Sequence, residues 1–278
     1  TRIGVPSTAV AILACSLSVL TAGTATAQQM TQEEAKAAVT QLLQDGNQQI
    51  KEKDYEQAAN SFNRVVQMTG GTNPLPIYQR ARAYVGLEDY ESAMEDIKEV
   101  LTYGQDIPGL VGEARNLRAE MYLKIGDIAS ALDDAKQAVS ENRSNPLYQY
   151  NLGKALALAG GVVQGEKSLT RYITAAEAAI AAKAAGEEDV QPQGFEVDPE
   201  KLAEAYLLRG QAQGAQSKFE EAEADLARSL EIEPQQHEIY FIRGRFALAQ
   251  QEMSTAAKWV NDAIEKYVPE DPRNPQPY

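Results

Sequence analysis

The sequence predicts an all-α protein of about six helix–turn–helix repeats, which we call copies one to six. A small residue recurs in the first helix of each copy, with spacings of 35, 38, 34, 57 and 34 residues, at Gly46, Ala81, Ala119, Gly153, Gly210 and Gly244. A second small residue follows each of these after 12 positions, at Ala58, Ala93, Ala131, Gly165, Ala222 and Ala256. A larger side chain comes four residues later in every copy except the third, which has Ala135. Helices that touch at small residues must keep that separation, so the constant 12 predicts repeated helix pairs.

Local signals mark where several of these helices begin. Thr31 and Glu34 form a capping-box pattern, in which a threonine side chain and a glutamate side chain satisfy each other's backbone amides. Asparagine or aspartate followed by proline occurs at Asn73-Pro74, Asn145-Pro146 and Asp198-Pro199. Proline is favoured at the first position of a helix because its missing N–H needs no partner there. These signals predict helix starts at about residues 32, 74, 146 and 199.

The stretch from Tyr206 to Pro234 carries the repeat skeleton most fully, through Gly210, Phe219, Ala222, Leu226 and Leu230. It resembles the tetratricopeptide repeat (TPR), a helix pair of about 34 residues that ends at a proline. The resemblance implies an α-solenoid of about six repeats in a right-handed superhelix, closed by the helix that carries Trp259. The repeats are expected at about residues 39–72, 74–107, 112–145, 146–185, 203–236 and 237–268.

The chain departs from the family pattern before the small residue of several first helices. Arginine replaces the usual leucine there, at Arg80, Arg118, Arg209 and Arg243. Long arginine side chains can cover apolar surface while keeping the charge in water. We therefore expect these arginines to lean toward solvent rather than to form a binding site.

Residues 1–27 are typical of a secretory signal peptide. They contain one base and no acid, then an apolar run from Ala9 to Leu20, then Ala25-Thr26-Ala27 before Gln28. Cleavage before Gln28 would leave a solenoid over residues 28–267 and would remove Cys15, the single cysteine. The alternatives are an uncleaved anchor, for which the run is shorter than the ~20 residues of a membrane span, and a lipid at Cys15. We expect an exported protein, periplasmic or extracellular.

The long interval between copies four and five has a visible cause in the sequence. An alanine-rich helix is predicted to continue to Ala185, and residues 186–198 then lose all helical periodicity. Loops of this length are either functional or disordered, and the glycine, proline and acidic content favours disorder here. Residues 268–278 contain four prolines and predict an extended tail.

Composition argues against several function classes. The formal net charge is −14, which disfavours binding to nucleic acid or to an anionic membrane surface. His237 is the single histidine, so neither a zinc site nor a Ser/His/Asp triad is expected. No glycine-rich phosphate loop follows a strand pattern. We therefore expect no enzyme activity, no metal and no cofactor.

The TPR resemblance implies a concave groove lined by the first helices. Three copies place an aromatic residue in that groove and a cation four residues later: Tyr78 and Arg82, Tyr150 and Lys154, and Phe241 and Arg245. Lys124 adds a further cation, and the counted groove positions sum to +1 in an acidic protein. We expect these seven residues to hold a protein or peptide with acidic groups. The alternative is that each pair is only a local contact on a helix surface.

These observations favour an exported, non-enzymatic scaffold that binds a protein or peptide in its groove. No membrane insertion is expected once the signal peptide is cleaved. The alternative is a subunit that recruits substrate or supports assembly, either in an envelope complex or for an enzyme whose catalytic part is on another chain. Composition and spacing do not separate a monomer from an oligomer.

Overall fold

A computed structural model describes residues 31–186 and 195–266, and this part of the chain consists of twelve α-helices without a β-strand. The helices are α1 (Gln32–Lys51), α2 (Tyr55–Met68), α3 (Pro74–Gly86), α4 (Tyr90–Tyr103), α5 (Leu110–Ile125), α6 (Ile128–Glu141), α7 (Pro146–Leu158), α8 (Val162–Ala184), α9 (Pro199–Ala215), α10 (Phe219–Ile232), α11 (Glu238–Ala249) and α12 (Met253–Lys266). The all-α prediction is confirmed. The predicted signal peptide, most of the 186–198 loop and the 268–278 tail lie outside the described residues.

The chain divides into two compact units, one ending at Ile125 and the other beginning at Gly126. The first unit contains α1 to α5, and the second contains α6 to α12. In the first unit, Ile77, Ile97 and Val100 belong to a core cluster that includes residues of α3, α4 and α5. In the second unit, Tyr150, Leu169 and Tyr206 belong to a core cluster built from α7, α8 and α9.

Small residues allow the two helices of a copy to approach, as the spacing predicts. A Cβ atom added to Gly210 would lie 3.1 Å from the carbonyl oxygen of Ala222. The side chain four residues after the second small residue is fully buried in the first five copies, at Phe62, Ile97, Ala135, Leu169 and Leu226. In copy six the corresponding Val260 is 38% exposed. The packing position is therefore the same in every copy, but it is less completely covered in the last.

Side-chain caps fix the starts of most of these helices. Thr31 and Glu34 complete the predicted capping box at α1. The second helices α2, α4 and α6 begin after Asp54, Asp89 and Asp127, whose carboxylates each accept a hydrogen bond from the backbone N–H three residues later. Asn73, Asn145 and Asp198 cap α3, α7 and α9, each before the predicted proline. The capping signals in the sequence therefore set the helix starts correctly.

The turn between the two helices of each copy contains a residue with left-handed backbone, seven positions after the first small residue. These residues are Lys53, Glu88, Gly126, Gly160, Ser217 and Gln251, with φ between 60° and 82°. Glycine adopts this conformation without steric cost, whereas a Cβ atom makes it unfavourable. The four turns with a residue other than glycine at this position therefore carry backbone strain. The turns at Gly126 and Gly160 do not.

Helix α8 absorbs much of the long interval between copies four and five. It has 23 residues, against 14 in each of α2, α4, α6, α10 and α12. It ends at Ala184, one residue before the predicted end. Phe195 and Val197 pack against the core cluster of the second unit, and Phe195 meets Tyr172 edge to face at 6.1 Å between ring centroids. The expectation of disorder is thus corrected for residues 195–198, because two apolar side chains hold them to the core.

Candidate functional site

The predicted groove residues all lie on first helices of their copies. Tyr78 and Arg82 lie on α3 and Lys124 on α5, in the first unit. The second unit contains Tyr150 and Lys154 on α7, and Phe241 and Arg245 on α11.

The rings of Tyr78 and Tyr150 are buried, which corrects the expectation that these two residues hold a partner protein or peptide. Tyr78 is 8% exposed and Tyr150 is 3% exposed. The Tyr78 hydroxyl donates to Glu113 Oε2 at 2.8 Å, and the Tyr150 hydroxyl donates to Glu204. Each tyrosine thereby joins its own first helix to the first helix of the next copy. The aromatic residues at this position serve packing between neighbouring copies because burial removes their faces from solvent.

Two of the predicted cations are held by neighbouring side chains. Lys154 Nζ lies 2.6 Å from Glu204 Oε1 and 6.0 Å from the centre of the Tyr150 ring. Arg82 Nη1 donates to Gln79 Oε1, one turn away on the same helix, at 2.8 Å. In copy four, the aromatic–cation pair is therefore a local contact, as the alternative interpretation holds. Within the described residues, Lys124 and Arg245 form neither a salt bridge nor a side-chain hydrogen bond.

The structure brings Arg245 to a cleft of about 380 Å³, which we call the first cleft and which is lined by residues of α7, α8, α9, α10 and α11. Its walls are largely apolar and include Leu208, Ile242 and Phe246. Gln211 and Arg245 supply its polar side chains. A cleft of this kind offers an apolar surface with a few groups that fix orientation, which is the usual composition of a binding site. Phe241, Tyr150 and Lys154 do not line it.

Glycine shapes the first cleft. A Cβ atom at Gly214 would lie 2.1 Å from Phe246 Cζ, so the Phe246 ring occupies the space that a side chain at position 214 would fill. The same ring packs on Phe219, with 5.7 Å between centroids. Sequence reasoning did not identify Phe246 or Gly214. The available signal was the additional glycine four residues after Gly210 in the middle of a helix, where glycine is otherwise unfavourable.

A second cleft of about 550 Å³ lies beside the first, between α10, α11 and the start of α12. Phe219 and Phe246 border both clefts. The second cleft is lined in addition by Trp259, Arg243 and the carboxylates of Glu220, Glu223 and Glu252. Arg243 Nε donates to Glu223 Oε2 at 3.0 Å, and the guanidinium lies 4.8 Å from the centre of the Trp259 ring.

Two of the four recurring arginines, Arg80 and Arg209, form ion pairs inside the protein, which corrects the expectation that they lean toward solvent. The side chains of Arg80 and Arg209 are each 16% exposed and pair with Asp96 and Asp225, which are each 7% exposed. Burial has the largest single effect and lowers the pKa of the Arg209 guanidinium, but the hydrogen bonds to Asp225, together with the charges of Asp225, Tyr206 and Glu177, raise this pKa overall. These arginines therefore connect the two helices of one copy.

A family model of the tetratricopeptide repeat matches residues 78–146 and 207–275. These two stretches of the chain are tetratricopeptide repeats. The matched ranges cover parts of copies two, three, five and six, and they begin at Tyr78 and Leu207, three residues before a first small residue. The TPR resemblance predicted from residue spacing is thus confirmed.

Curated relatives share the repeats over part of their length. A TPR and J domain-containing co-chaperone of Cryptococcus neoformans, DNJ1, is 30% identical over 104 residues, which is 37% of this chain and 19% of that protein. DnaJ homolog subfamily C member 3 of Gallus gallus is 27% identical over 135 residues, or 44% of this chain and 26% of that protein. The chain thus matches about a fifth to a quarter of the length of these relatives.

Solved structures share the TPR fold. YrrB, described as a TPR protein with an unusual peptide-binding site, superposes with a TM-score of 0.56 at 15% identity, over 77% of this chain and 95% of that one. PilF of Pseudomonas aeruginosa superposes with a TM-score of 0.60 at 12% identity, over 84% of this chain and 93% of that one. These likenesses establish a TPR-type α-solenoid fold.

Neither a membrane-spanning helix nor a metal-binding cluster occurs among the described residues. None of the helices between residues 31 and 186 or between 195 and 266 is long and apolar enough to cross a membrane. In the same ranges, no group of three or more histidine, cysteine, aspartate or glutamate side chains is arranged to hold a metal ion. TPR repeats provide a scaffold for protein–protein interaction, and the two clefts are the candidate contact sites on this one.

Proposed function

We propose that this chain is an exported, non-enzymatic TPR scaffold that binds an extended segment of a partner protein in the first cleft. The observation that carries the proposal is the position of Arg245 at an otherwise largely apolar cleft, with no salt bridge to any described residue. Arg245 is exposed, and an arginine at the edge of apolar walls favours a carboxylate or backbone carbonyl next to an apolar side chain. The partner segment should therefore combine these two features.

The volume of the cleft limits what it can hold. Binding sites for small molecules have volumes of roughly 300–1,000 Å³, and the first cleft lies near the lower end at about 380 Å³. We infer that one or two side chains of the partner enter the cleft while the rest of the segment follows the first helices. Tyr78 and Tyr150 do not contribute ring faces to this arrangement, because both side chains are buried.

Affinity capture with a cleft-filling variant tests the proposed function. Ala215 lines the cleft and is exposed, so Ala215→Leu should fill the cleft without disturbing the core. Ala178 is exposed on α8 and lies outside both clefts, so Ala178→Leu is a matched control. The parent chain and the control should capture the same partner from cells of the source organism, and Ala215→Leu should lose at least about tenfold in affinity, or ~1.4 kcal/mol. Equal capture by all three chains would contradict a role of this cleft.

Arg245→Ala tests the polar part of the same site. The exposed Arg64 on α2 provides a control of equal charge change, Arg64→Ala. We expect a loss of about threefold to tenfold for Arg245→Ala and none for the control, because a single partly exposed contact contributes roughly 0.5–1.4 kcal/mol. An unchanged affinity in Arg245→Ala would contradict the expectation that a carboxylate or carbonyl of the partner contacts this arginine.

The export part of the proposal rests on residues 1–27. The protein isolated from its native host should begin at Gln28, after Ala25-Thr26-Ala27. N-terminal sequencing measures this directly. An intact leader in the membrane fraction would instead indicate an anchor.

A further inference from the structure

The sixth copy breaks a rule that two other copies follow. Three residues after the second small residue, copies two and five carry Asp96 and Asp225, each paired with the arginine of its own copy. In copy six that position is occupied by Trp259, the single tryptophan of the chain. Arg243 instead pairs with Glu223 of copy five and lies over the Trp259 ring. A local departure from a repeated pattern is where a functional site is expected.

The departure coincides with the second cleft, whose charge is unbalanced. Three glutamates line it against a single arginine, and that arginine is already paired with Glu223. Glu220 and Glu252 are exposed and have neither a salt bridge nor a side-chain hydrogen bond among the described residues. The cleft therefore has two carboxylates that can pair with the positive charges of a ligand.

Aromatic residues give the same cleft an apolar surface. Phe219, Phe246 and Trp259 line it, and the Trp259 ring packs on Tyr240 with 6.1 Å between centroids. Aromatic faces attract both apolar side chains and cations. An anionic ligand would be repelled by the carboxylates, so charge complementarity selects a cationic ligand.

We infer that the second cleft is a docking site for a basic segment of a partner protein, in which lysine or arginine side chains alternate with apolar ones. The cations pair with Glu220 and Glu252, and an apolar side chain lies against Phe219 and Trp259. This site is separate from the first cleft in charge and in the ligand it accepts. It does not depend on the function proposed for Arg245.

The single tryptophan provides a reporter inside the cleft. The full chain is titrated at low salt with a blocked heptapeptide, Gly-Lys-Leu-Lys-Leu-Lys-Gly, while the intrinsic fluorescence of Trp259 is recorded. The matched peptide carries glutamate in place of each lysine. We expect a saturable fluorescence change with the lysine peptide, with a dissociation constant of about 0.1–1 mM, and no change with the glutamate peptide.

A matched pair of variants separates this site from general attraction to an acidic protein. Glu220→Gln/Glu252→Gln removes the two carboxylates of the cleft, whereas Glu221→Gln/Glu265→Gln removes two exposed carboxylates that do not line it. The first pair should weaken binding at least about fourfold, and the second should leave it near the parent value because neither of its exposed carboxylates lines the cleft. Absence of a fluorescence change with the lysine peptide, or equal weakening by both pairs, would overturn the inference.

Discussion

Arg209 and Asp225, sixteen residues apart, form a two-pronged ion pair between the two helices of copy five. Arg209 Nε and Nη2 each lie 2.7 Å from a different oxygen of the Asp225 carboxylate. Arg80 and Asp96 repeat this geometry in copy two, with distances of 2.9 and 2.7 Å. Parallel hydrogen bonds of this kind fix orientation as well as distance. The pair therefore sets how α9 lies against α10, in addition to the contact between Gly210 and Ala222.

Removing one member of the pair should cost more than removing both. Asp225→Ala leaves the Arg209 guanidinium largely buried without its partner, and we expect a loss of about 2–4 kcal/mol in the free energy of unfolding. Arg209→Leu/Asp225→Leu should lie within about 1–2 kcal/mol of the parent, because two apolar side chains replace a desolvated ion pair. Urea unfolding followed by circular dichroism measures both values. A double variant less stable than Asp225→Ala would show that the pair contributes net stability.

Glycine-to-alanine substitutions in α9 and α11 should rank by the space available for a Cβ atom. At Gly244 that atom would lie 3.4 Å from Val260, an ordinary contact, so Gly244→Ala should stabilise by up to ~1 kcal/mol through helix propensity. Gly210→Ala should be near neutral, since the nearest atom is 3.1 Å away. Gly214→Ala should destabilise by about 1–3 kcal/mol because it displaces the Phe246 ring. Thermal unfolding of the three variants gives the order, and Gly214→Ala melting above the parent would contradict it.

Ionisation of Tyr206 should weaken the second unit at alkaline pH. Burial first, and then the hydrogen bond to Glu177, raise the pKa of Tyr206 from 10.0 to about 12. The folded state thus holds the proton that the unfolded state loses at lower pH, so this contribution is complete below pH ~10 and declines as the pH rises toward ~12. Its size is on the order of 1–3 kcal/mol. Stability measured between these pH values should fall less steeply in Tyr206→Phe than in the parent, and parallel curves would argue against the shift.

Tyr150→Phe distinguishes a packing role from a ligand-binding role. The substitution keeps the buried ring but removes the hydroxyl that donates to Glu204. We expect a loss of about 1–2 kcal/mol in stability, since the acceptor is charged, with partner affinity unchanged. Calorimetric unfolding and a binding titration on the same sample provide both readouts. Weaker partner binding at unchanged stability would show that Tyr150 contributes to ligand binding.

The fold was predictable because its determinants are local and repeated. Gly210 and Ala222 stand 12 residues apart, as do their counterparts in every copy, and capping residues such as Asn145 appear in the sequence at the helix starts. The ion pairs could also have been predicted from the sequence, because arginine and aspartate recur sixteen residues apart at 80 and 96 and at 209 and 225. Only their interpretation as solvent-facing was wrong.

The clefts were not predictable in the same way. Their walls combine side chains from three or more helices, and their shape depends on how far each ring is covered by the next copy. Spacing placed Tyr78 and Tyr150 at equivalent positions in their copies, but it could not show that each hydroxyl donates to a glutamate of the next copy. It also could not show that Gly214 makes room for Phe246. The repeat spacing gives the position of a side chain within its helix, whereas the exposure of that side chain depends on neighbours that are distant in sequence.

The left-handed turns at Lys53 and Glu88 are positions where the thermal stability of this protein can be raised. Replacing either residue with glycine relieves an unfavourable backbone conformation, at φ of 61° and 60°, for a gain of up to about 1 kcal/mol each. The two turns belong to different copies, so the gains should add. Both turns lie in the first unit, whereas second-unit residues line both clefts. A more thermostable version of the scaffold can therefore be engineered by changes in the first unit, while the candidate contact sites of the second unit stay unchanged.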